Sequence, residues 1–84
     1  MYYVYVLVNE KGKKYIGFTT DLKRRVREHN TKGNRYTSKY TKWKLVYYEA
    51  YLSKSDALKR EKRLKDGRAR HLLMERIENS LEEV

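Results

Sequence analysis

The chain contains no cysteine and no proline among its 84 residues. The absence of cysteine excludes disulfide bonds, thiolate metal sites and a cysteine nucleophile, and it fits a reducing cytoplasm. Without proline, and without a stretch rich in glycine or serine, nothing in the sequence marks a boundary between domains. At this length we expect one domain that covers residues 1–84.

Long apolar segments are also missing. The main N-terminal one, residues 2–8, is too short to span a membrane. It also lacks the basic lead and the small-residue cleavage site of a secretion signal. We therefore expect a soluble cytoplasmic protein without a membrane partner.

Negative charge is scarce in the first two thirds of the chain. The whole sequence has 21 Lys and Arg against 11 Asp and Glu, a net charge of +10. Residues 11–44 alone hold twelve Lys or Arg and two acidic residues. A merely solvated or heat-adapted surface would mix the two signs, so this segment indicates an anionic partner. Nucleic acid fits better than a membrane surface, because no basic amphipathic helix with a broad apolar face is present there.

Hydrophobic periodicity predicts the secondary structure. Residues 2–8 and 13–17 are β-branched and aromatic, and residues 9–12 between them form a turn that ends in glycine. A helix capped by one of residues 19–21 follows, then a surface loop over residues 31–43 and a strand over residues 44–51. A helix after Ser53 or Ser55 stops at Gly67, and a last helix covers about residues 68–82. The order ββα–loop–βαα predicts an α+β fold, a small three-stranded sheet flanked by helices.

One carboxylate stands where an apolar side chain is expected. Glu61 shares a helix face with Ala57, Leu58 and Leu64, which should pack on the sheet. A rim position or an ion pair with a nearby cation would explain it. A metal ligand or an acid–base group would explain it equally well.

Two further pairs of polar side chains are spaced to share a face. Arg25 and His29 lie one turn apart on the first predicted helix. Tyr5 and Tyr15 stand on one face of the hairpin if the strand register pairs them. Spacing alone favours a surface arginine, a structural histidine and core tyrosines.

Five sequence elements occur in an order that resembles the GIY-YIG nuclease superfamily. These elements are Tyr3-Val4-Tyr5, Tyr15-Ile16-Gly17, Arg25, His29 and Glu61. Each triplet alone is a weak signal, but together the elements are specific, and the similarity spans about residues 2–65. The resemblance implies a small stand-alone member with the family's α+β fold.

The chemistry implied by this resemblance is metal-assisted hydrolysis of DNA phosphodiester bonds, with structure selectivity suited to repair or recombination. Glu61 would hold one Mg²⁺ or Mn²⁺, with water as the other ligands. Arg25 would stabilise charge on the scissile phosphate, and Tyr15 would accept a proton from the attacking water. By the same resemblance, Tyr5 would assist Tyr15, and His29 would be a second proton acceptor or a phosphate contact.

The remaining expected contacts concern the substrate. Gly17 would let the backbone and the substrate approach closely. The expected phosphate contacts and base-stacking aromatics are Lys13, Lys14, Lys23, Arg24, Arg27, Arg35, Tyr36, Lys39, Tyr40 and Trp43. Because the chain has no room for a separate recognition domain, substrate shape or a protein partner would supply specificity.

Two other functions remain open on the sequence. The first is a non-catalytic nucleic-acid-binding module, which Tyr3 and Phe18 favour because nuclease members usually have glycine and a polar residue at these places. The second is an interaction protein that docks on the ribosome or on an acidic protein. This last function ranks lowest, because it would make the Tyr15, Arg25 and Glu61 pattern accidental.

Overall fold

A computed structural model describes residues 1–31 and 42–84. The strands, which form one antiparallel sheet in the order β2-β1-β3, are β1 (Tyr2–Asn9), β2 (Lys14–Thr19) and β3 (Trp43–Tyr51). The helices are α1 (Leu22–His29), α2 (Lys54–Leu64), α3 (Gly67–Arg76) and α4 (Glu78–Glu82). The predicted α+β fold with a three-stranded sheet is therefore confirmed. Among the described residues, no helix is long and apolar enough to cross a membrane.

The central strand β1 is buried on both faces. Val4 and Val6 belong to a core cluster that includes Leu64 of α2. Tyr5 of the opposite face packs in a second cluster with Trp43, against which side chains of α1 also pack. Burial on both faces explains why β1 has a continuous apolar sequence instead of an alternating one.

The hairpin turn has the glycine that its backbone needs. Gly12 has a φ of +80°, in the left-handed region that other residues rarely adopt. The side-chain oxygen of Asn9 accepts hydrogen bonds from the backbone N–H groups of Lys11 and Lys13 at 3.0 and 2.9 Å. These bonds close the turn and confirm its predicted position.

Helices α1 and α2 begin at predicted capping residues. The Asp21 carboxylate accepts a hydrogen bond from the Arg24 backbone N–H at 3.1 Å. The Ser53 hydroxyl accepts one from the Asp56 N–H at 3.4 Å. Each cap satisfies a backbone donor that has no partner within the helix.

The strand register does not pair Tyr5 directly with Tyr15. Tyr5 lies opposite Gly17, and Tyr15 lies opposite Leu7. The turn sets this register, because it places Val8 opposite Lys14 and so fixes every later pair. The two tyrosines are therefore diagonal neighbours on the same face, with ring centroids 6.3 Å apart.

The C-terminal part differs from the single predicted helix. Gly67 is the first residue of α3, whereas α2 already ends at Leu64. The chain then bends at Ile77 (φ −106°, ψ 18°), which separates α3 from α4. Hydrogen bonds from Ile77 N to Leu73 O and from Leu81 N to Ile77 O continue across the bend. The bend leaves both Leu73 and Ile77 buried in the core, a packing requirement that helical periodicity does not reveal.

An ion pair joins β3 to α2. Glu49 accepts hydrogen bonds from Arg60 Nε at 2.8 Å and Arg60 Nη2 at 3.0 Å. The hydroxyls of Tyr47, at 2.5 Å, and of Tyr51 also donate to this carboxylate. Burial by itself would raise the pKa of Glu49, but the hydrogen bonds from Arg60 and the tyrosines outweigh it and lower the pKa.

Candidate active site

Tyr5 lies at the centre of the predicted site and is fully buried. Its hydroxyl extends over Gly17 on the neighbouring strand. A Cβ atom at position 17 would lie 2.3 Å from the Tyr5 oxygen and 3.0 Å from the Tyr15 ring. Gly17 was expected to admit substrate, but in the structure the space left by its missing side chain holds the Tyr5 phenol.

Helix α1 brings Arg25 and His29 to the same hydroxyl. Arg25 Nε donates a hydrogen bond to the Tyr5 oxygen at 3.2 Å, and His29 Nε2 lies 2.9 Å from it. Because Arg25 can only donate, a neutral Tyr5 directs its own proton to His29 Nε2. This network assigns the proton of the neutral imidazole to Nδ1.

Burial determines the charges in this cluster. It raises the pKa of Tyr5 to about 12, against the opposing effect of the Arg25 hydrogen bond. It also lowers the pKa of His29 to about 4, and the positive charge of Arg25 acts in the same direction. The hydrogen bond to Tyr5 raises the pKa of Arg25. At neutral pH the cluster therefore has a neutral phenol, a neutral imidazole and one guanidinium cation.

Tyr15 and Glu61 flank the cluster. The half-buried Tyr15 ring packs against the His29 ring with centroids 4.6 Å apart. Glu61 lies on α2, which packs against β1 and β2, and its negative charge adds to the burial that raises the pKa of Tyr5. Tyr5, Tyr15, Arg25 and His29, from β1, β2 and α1, thus lie around one place.

The five residues differ in their access to solvent. Tyr5 and His29 are fully buried, so neither ring is open to a phosphate in this structure. Arg25 and Glu61 have side chains 33% and 21% exposed, and Tyr15 is partly exposed. An external ligand can therefore reach Tyr15, Arg25 and Glu61, whereas the buried Tyr5 and His29 act through their contacts with Arg25 and Tyr15.

The donor set for a metal is small. Among residues 1–31 and 42–84, no three His, Asp or Glu side chains are grouped to hold an ion. Mg²⁺ commonly uses one or two protein carboxylates and completes its shell with water, and the partly exposed Glu61 fits such a ligand. Its Oε2 atom is 3.2 Å from the Lys65 ammonium, which a bound cation would displace.

The expected nucleic-acid contacts have different surroundings. Four of the expected cationic contacts are exposed: Lys13, Lys23, Arg24 and Arg27. Lys14 is half-buried. Trp43 begins β3 and is only 3% exposed, so the prediction that it stacks on a base is wrong because its ring is part of the core. Four predicted contacts lie outside the described residues: Arg35, Tyr36, Lys39 and Tyr40.

Comparison with known proteins identifies the domain. The family model of the GIY-YIG catalytic domain matches residues 1–73. The chain belongs to the GIY-YIG family. In this GIY-YIG domain, the first motif triplet lies on β1 and the second on β2, and their register places Tyr5 over Gly17.

The relatives are small proteins named UPF0213. One from Streptococcus agalactiae is 48% identical over 60 residues, which is 70% of this chain and 68% of the relative. One from Halobacterium salinarum is 46% identical over 66 residues, covering 77% and 86%. The solution NMR structure of the UPF0213 protein from Bacillus halodurans is 35% identical, with a TM-score of 0.54, over 88% of this chain and 82% of that one.

In this GIY-YIG domain, sequence reasoning missed Glu28 as a partner of Arg25, whereas the ion pair that it left open for Glu61 is formed with Lys65. Glu28 accepts a hydrogen bond from Arg25 Nη1 at 3.0 Å, and Lys65 pairs with Glu61. Glu28 lies three residues after Arg25 on α1, and Lys65 lies four residues after Glu61 at the C-terminal cap of α2, so helical spacing brings both within reach. Glu28 and Tyr5 together hold the Arg25 guanidinium from two sides.

Proposed function

We propose that this GIY-YIG domain is a metal-dependent endonuclease that hydrolyses DNA phosphodiester bonds. The main support is the buried Tyr5 hydroxyl, which binds both Arg25 and His29, while the Tyr5 ring packs beside that of Tyr15. A cation fixed in this way is suited to a phosphate, because its position does not have to be organised during the reaction.

Arg25 is the phosphate ligand in this proposal. Its Nε atom donates to Tyr5 and its Nη1 atom to Glu28. Guanidinium has five N–H donors, so the Nη2 group remains for a phosphate oxygen. The guanidinium would then stabilise the negative charge that develops as the fifth oxygen approaches phosphorus.

In this proposal, Tyr15 accepts the proton of the attacking water. Its ring orientation is restricted by the His29 and Tyr5 rings against which it packs. The neutral His29 keeps the Tyr5 hydroxyl directed away from Arg25, so that Arg25 Nε remains the donor to Tyr5. His29 thus acts on the site through Tyr5, as a buried proton acceptor.

Glu61 would hold one Mg²⁺ or Mn²⁺. When bound, such an ion polarises a phosphoryl oxygen and stabilises the leaving oxygen. Lys65 would exchange its ion pair with Glu61 for a contact elsewhere. The surface cations of β2 and α1 would bind backbone phosphates, so affinity should decrease steeply as salt is raised.

A nicking assay tests this proposal. Branched, duplex and single-stranded DNA are incubated with the protein in Mg²⁺, Mn²⁺ or EDTA. We expect cleavage only with a divalent ion, and none from Arg25→Ala or Glu61→Gln, while both variants still bind DNA. Tyr15→Phe should cut at least about 100-fold more slowly. Glu75→Gln, which changes an exposed carboxylate of α3, is the matched control for Glu61→Gln.

Different results separate the alternatives. Cleavage by Glu61→Gln at the wild-type rate would contradict the metal assignment. Selective cutting of branched DNA would support a role in repair or recombination, and selectivity that requires an added protein would point to a partner.

The second candidate is a nucleic-acid-binding module without catalysis. The ion pairs of Arg25 with Glu28 and of Glu61 with Lys65 favour it, because each neutralises a proposed functional charge within the chain. A folded wild-type protein that binds DNA but cuts no substrate with either metal would establish this second candidate.

A further inference from the structure

A basic groove lies beside the candidate active site. It has a volume of about 350 Å³ and is lined by Lys14 and Tyr15 with Ile16 on β2, Lys65 after α2, and Arg70 on α3. Its three cations come from separate parts of the fold and converge only in the tertiary structure. No carboxylate is among the described residues that line it.

The groove is continuous with the proposed reaction centre. Tyr15 belongs to both, and it borders the groove next to the β2 edge of the sheet. Lys65 lines the groove while its ammonium lies 3.2 Å from Glu61. A ligand in the groove would therefore lie beside the phosphate that is attacked at the centre.

Two cations of the groove are not neutralised within the described part of the chain. Neither Lys14 nor Arg70 has a carboxylate within ion-pairing distance among residues 1–31 and 42–84. Within these ranges, Lys14 Nζ donates one long hydrogen bond, to the Gly12 carbonyl at 3.3 Å. By contrast, Arg25 and Arg60 each have a carboxylate partner. The groove thus has a net positive charge that an anionic ligand would neutralise.

We propose that this groove binds a backbone phosphate adjacent to the scissile one, on the same nucleic-acid strand. The inference rests on the proposed function, because the reaction centre defines the scissile position. The apolar Ile16 and the Tyr15 ring provide a surface for the sugar, while Lys65 and Arg70 bind the phosphate oxygens.

This subsite extends the DNA-binding surface beyond residues 11–44. The strand would pass from the cations of α1 over Tyr15 to α3. Lys65 and Arg70 would thereby bind nucleic acid, although the charge distribution in the sequence did not point to them. Their role is to place the strand, because neither contacts the reacting atoms.

Equilibrium binding without metal tests the groove independently of cleavage. Affinity for a labelled DNA duplex is measured in EDTA by fluorescence anisotropy at several salt concentrations. Lys65→Gln and Arg70→Gln should each weaken binding several-fold and reduce the slope of log K against log salt by about one. Lys62→Gln and Arg68→Gln, exposed residues of α2 and α3 outside the groove, are the matched controls and should bind like the wild type.

An NMR titration locates the contact. Adding a short oligothymidylate should shift the backbone amide signals of Tyr15 and Ile16, and Arg70→Gln should reduce these shifts. Inorganic phosphate at the same concentration should produce smaller shifts if the groove needs a polynucleotide strand. Equal shifts with inorganic phosphate would overturn the strand subsite and leave a site for free phosphate.

The outcomes separate this inference from the proposed activity. If the wild type cuts DNA but Lys65→Gln and Arg70→Gln bind as tightly as the controls, the groove fails and the nuclease stands. The groove proposal also fails if Lys62→Gln and Arg68→Gln weaken binding equally, because the loss of affinity then reflects the overall positive charge of the protein and not a specific site. If the wild type binds with the expected losses but never cuts, the groove stands as a phosphate site and the endonuclease fails. Absence of any DNA binding overturns both.

Discussion

The buried His29 should make this domain sensitive to mild acid. Its imidazole is fully buried, and burial lowers its pKa from 6.5 to about 4. In the unfolded chain the same group titrates near its ordinary pKa of 6.5. Between these two values the unfolded state binds more protons than the folded one, so stability falls as the pH falls from 6.5 towards 4.

The size of the effect follows from these two pKa values. With 6.5 for the unfolded state and 4 for the folded state, the free energy of unfolding should fall by about 2 kcal/mol between pH 7.5 and pH 5. A domain of this length is stable by only about 4–12 kcal/mol, so the loss is easily measured. Glu49 does not contribute to this change in stability between pH 7.5 and pH 5. Its pKa is lowered, so the stability that its carboxylate provides is lost only at pH values below about 4.5.

Urea unfolding at pH 7.5, 6 and 5 measures the effect. His29→Gln keeps an acceptor for the Tyr5 hydroxyl but cannot be protonated, so its stability should change little over this range even if it is lower at pH 7.5. His71→Gln is the control, because the side chain of His71 is 76% exposed and should leave the wild-type pH dependence intact. A wild-type pH dependence that persists in His29→Gln would refute the reasoning.

Three further substitutions test contacts within the site and between β3 and α2. Gly17→Ala should destabilise the fold by about 2 kcal/mol or more in urea unfolding, because its Cβ would lie 2.3 Å from the Tyr5 oxygen. Gly67→Ala is the control and should be nearly neutral, because a Cβ at position 67 meets open space. Tyr5→Phe should cost about 1–3 kcal/mol, because the buried His29 and the partly exposed Arg25 both lose their hydrogen bond to the hydroxyl. An unchanged unfolding midpoint would contradict the network. Glu49→Gln should lower the free energy of unfolding by about 1–3 kcal/mol in thermal unfolding, because it removes the negative charge that accepts two hydrogen bonds from Arg60. A decrease below about 0.5 kcal/mol would show that the ion pair contributes little to stability.

The amino-acid sequence by itself determined the elements and the family. Apolar patterns and the capping residues Asp21 and Ser53 are local signals, so they predicted the strands and the first helix starts. The spacing of the motif residues was sufficient to indicate the GIY-YIG family before any contact was known. These features are encoded by residues that are close together in the chain.

Only the tertiary structure decided which site residues are buried and what surrounds them. The register placed Tyr5 over Gly17, and packing on both faces of β1 buried Tyr5, His29 and Trp43. Burial in turn decided the charge states, since the pKa of His29 depends on the solvent it loses and on a neighbour from another element. The groove formed by Lys14, Lys65 and Arg70 joins residues that are far apart in the chain. Hydrophobic periodicity cannot predict such contacts, because it describes only the direction in which each side chain leaves its own helix or strand.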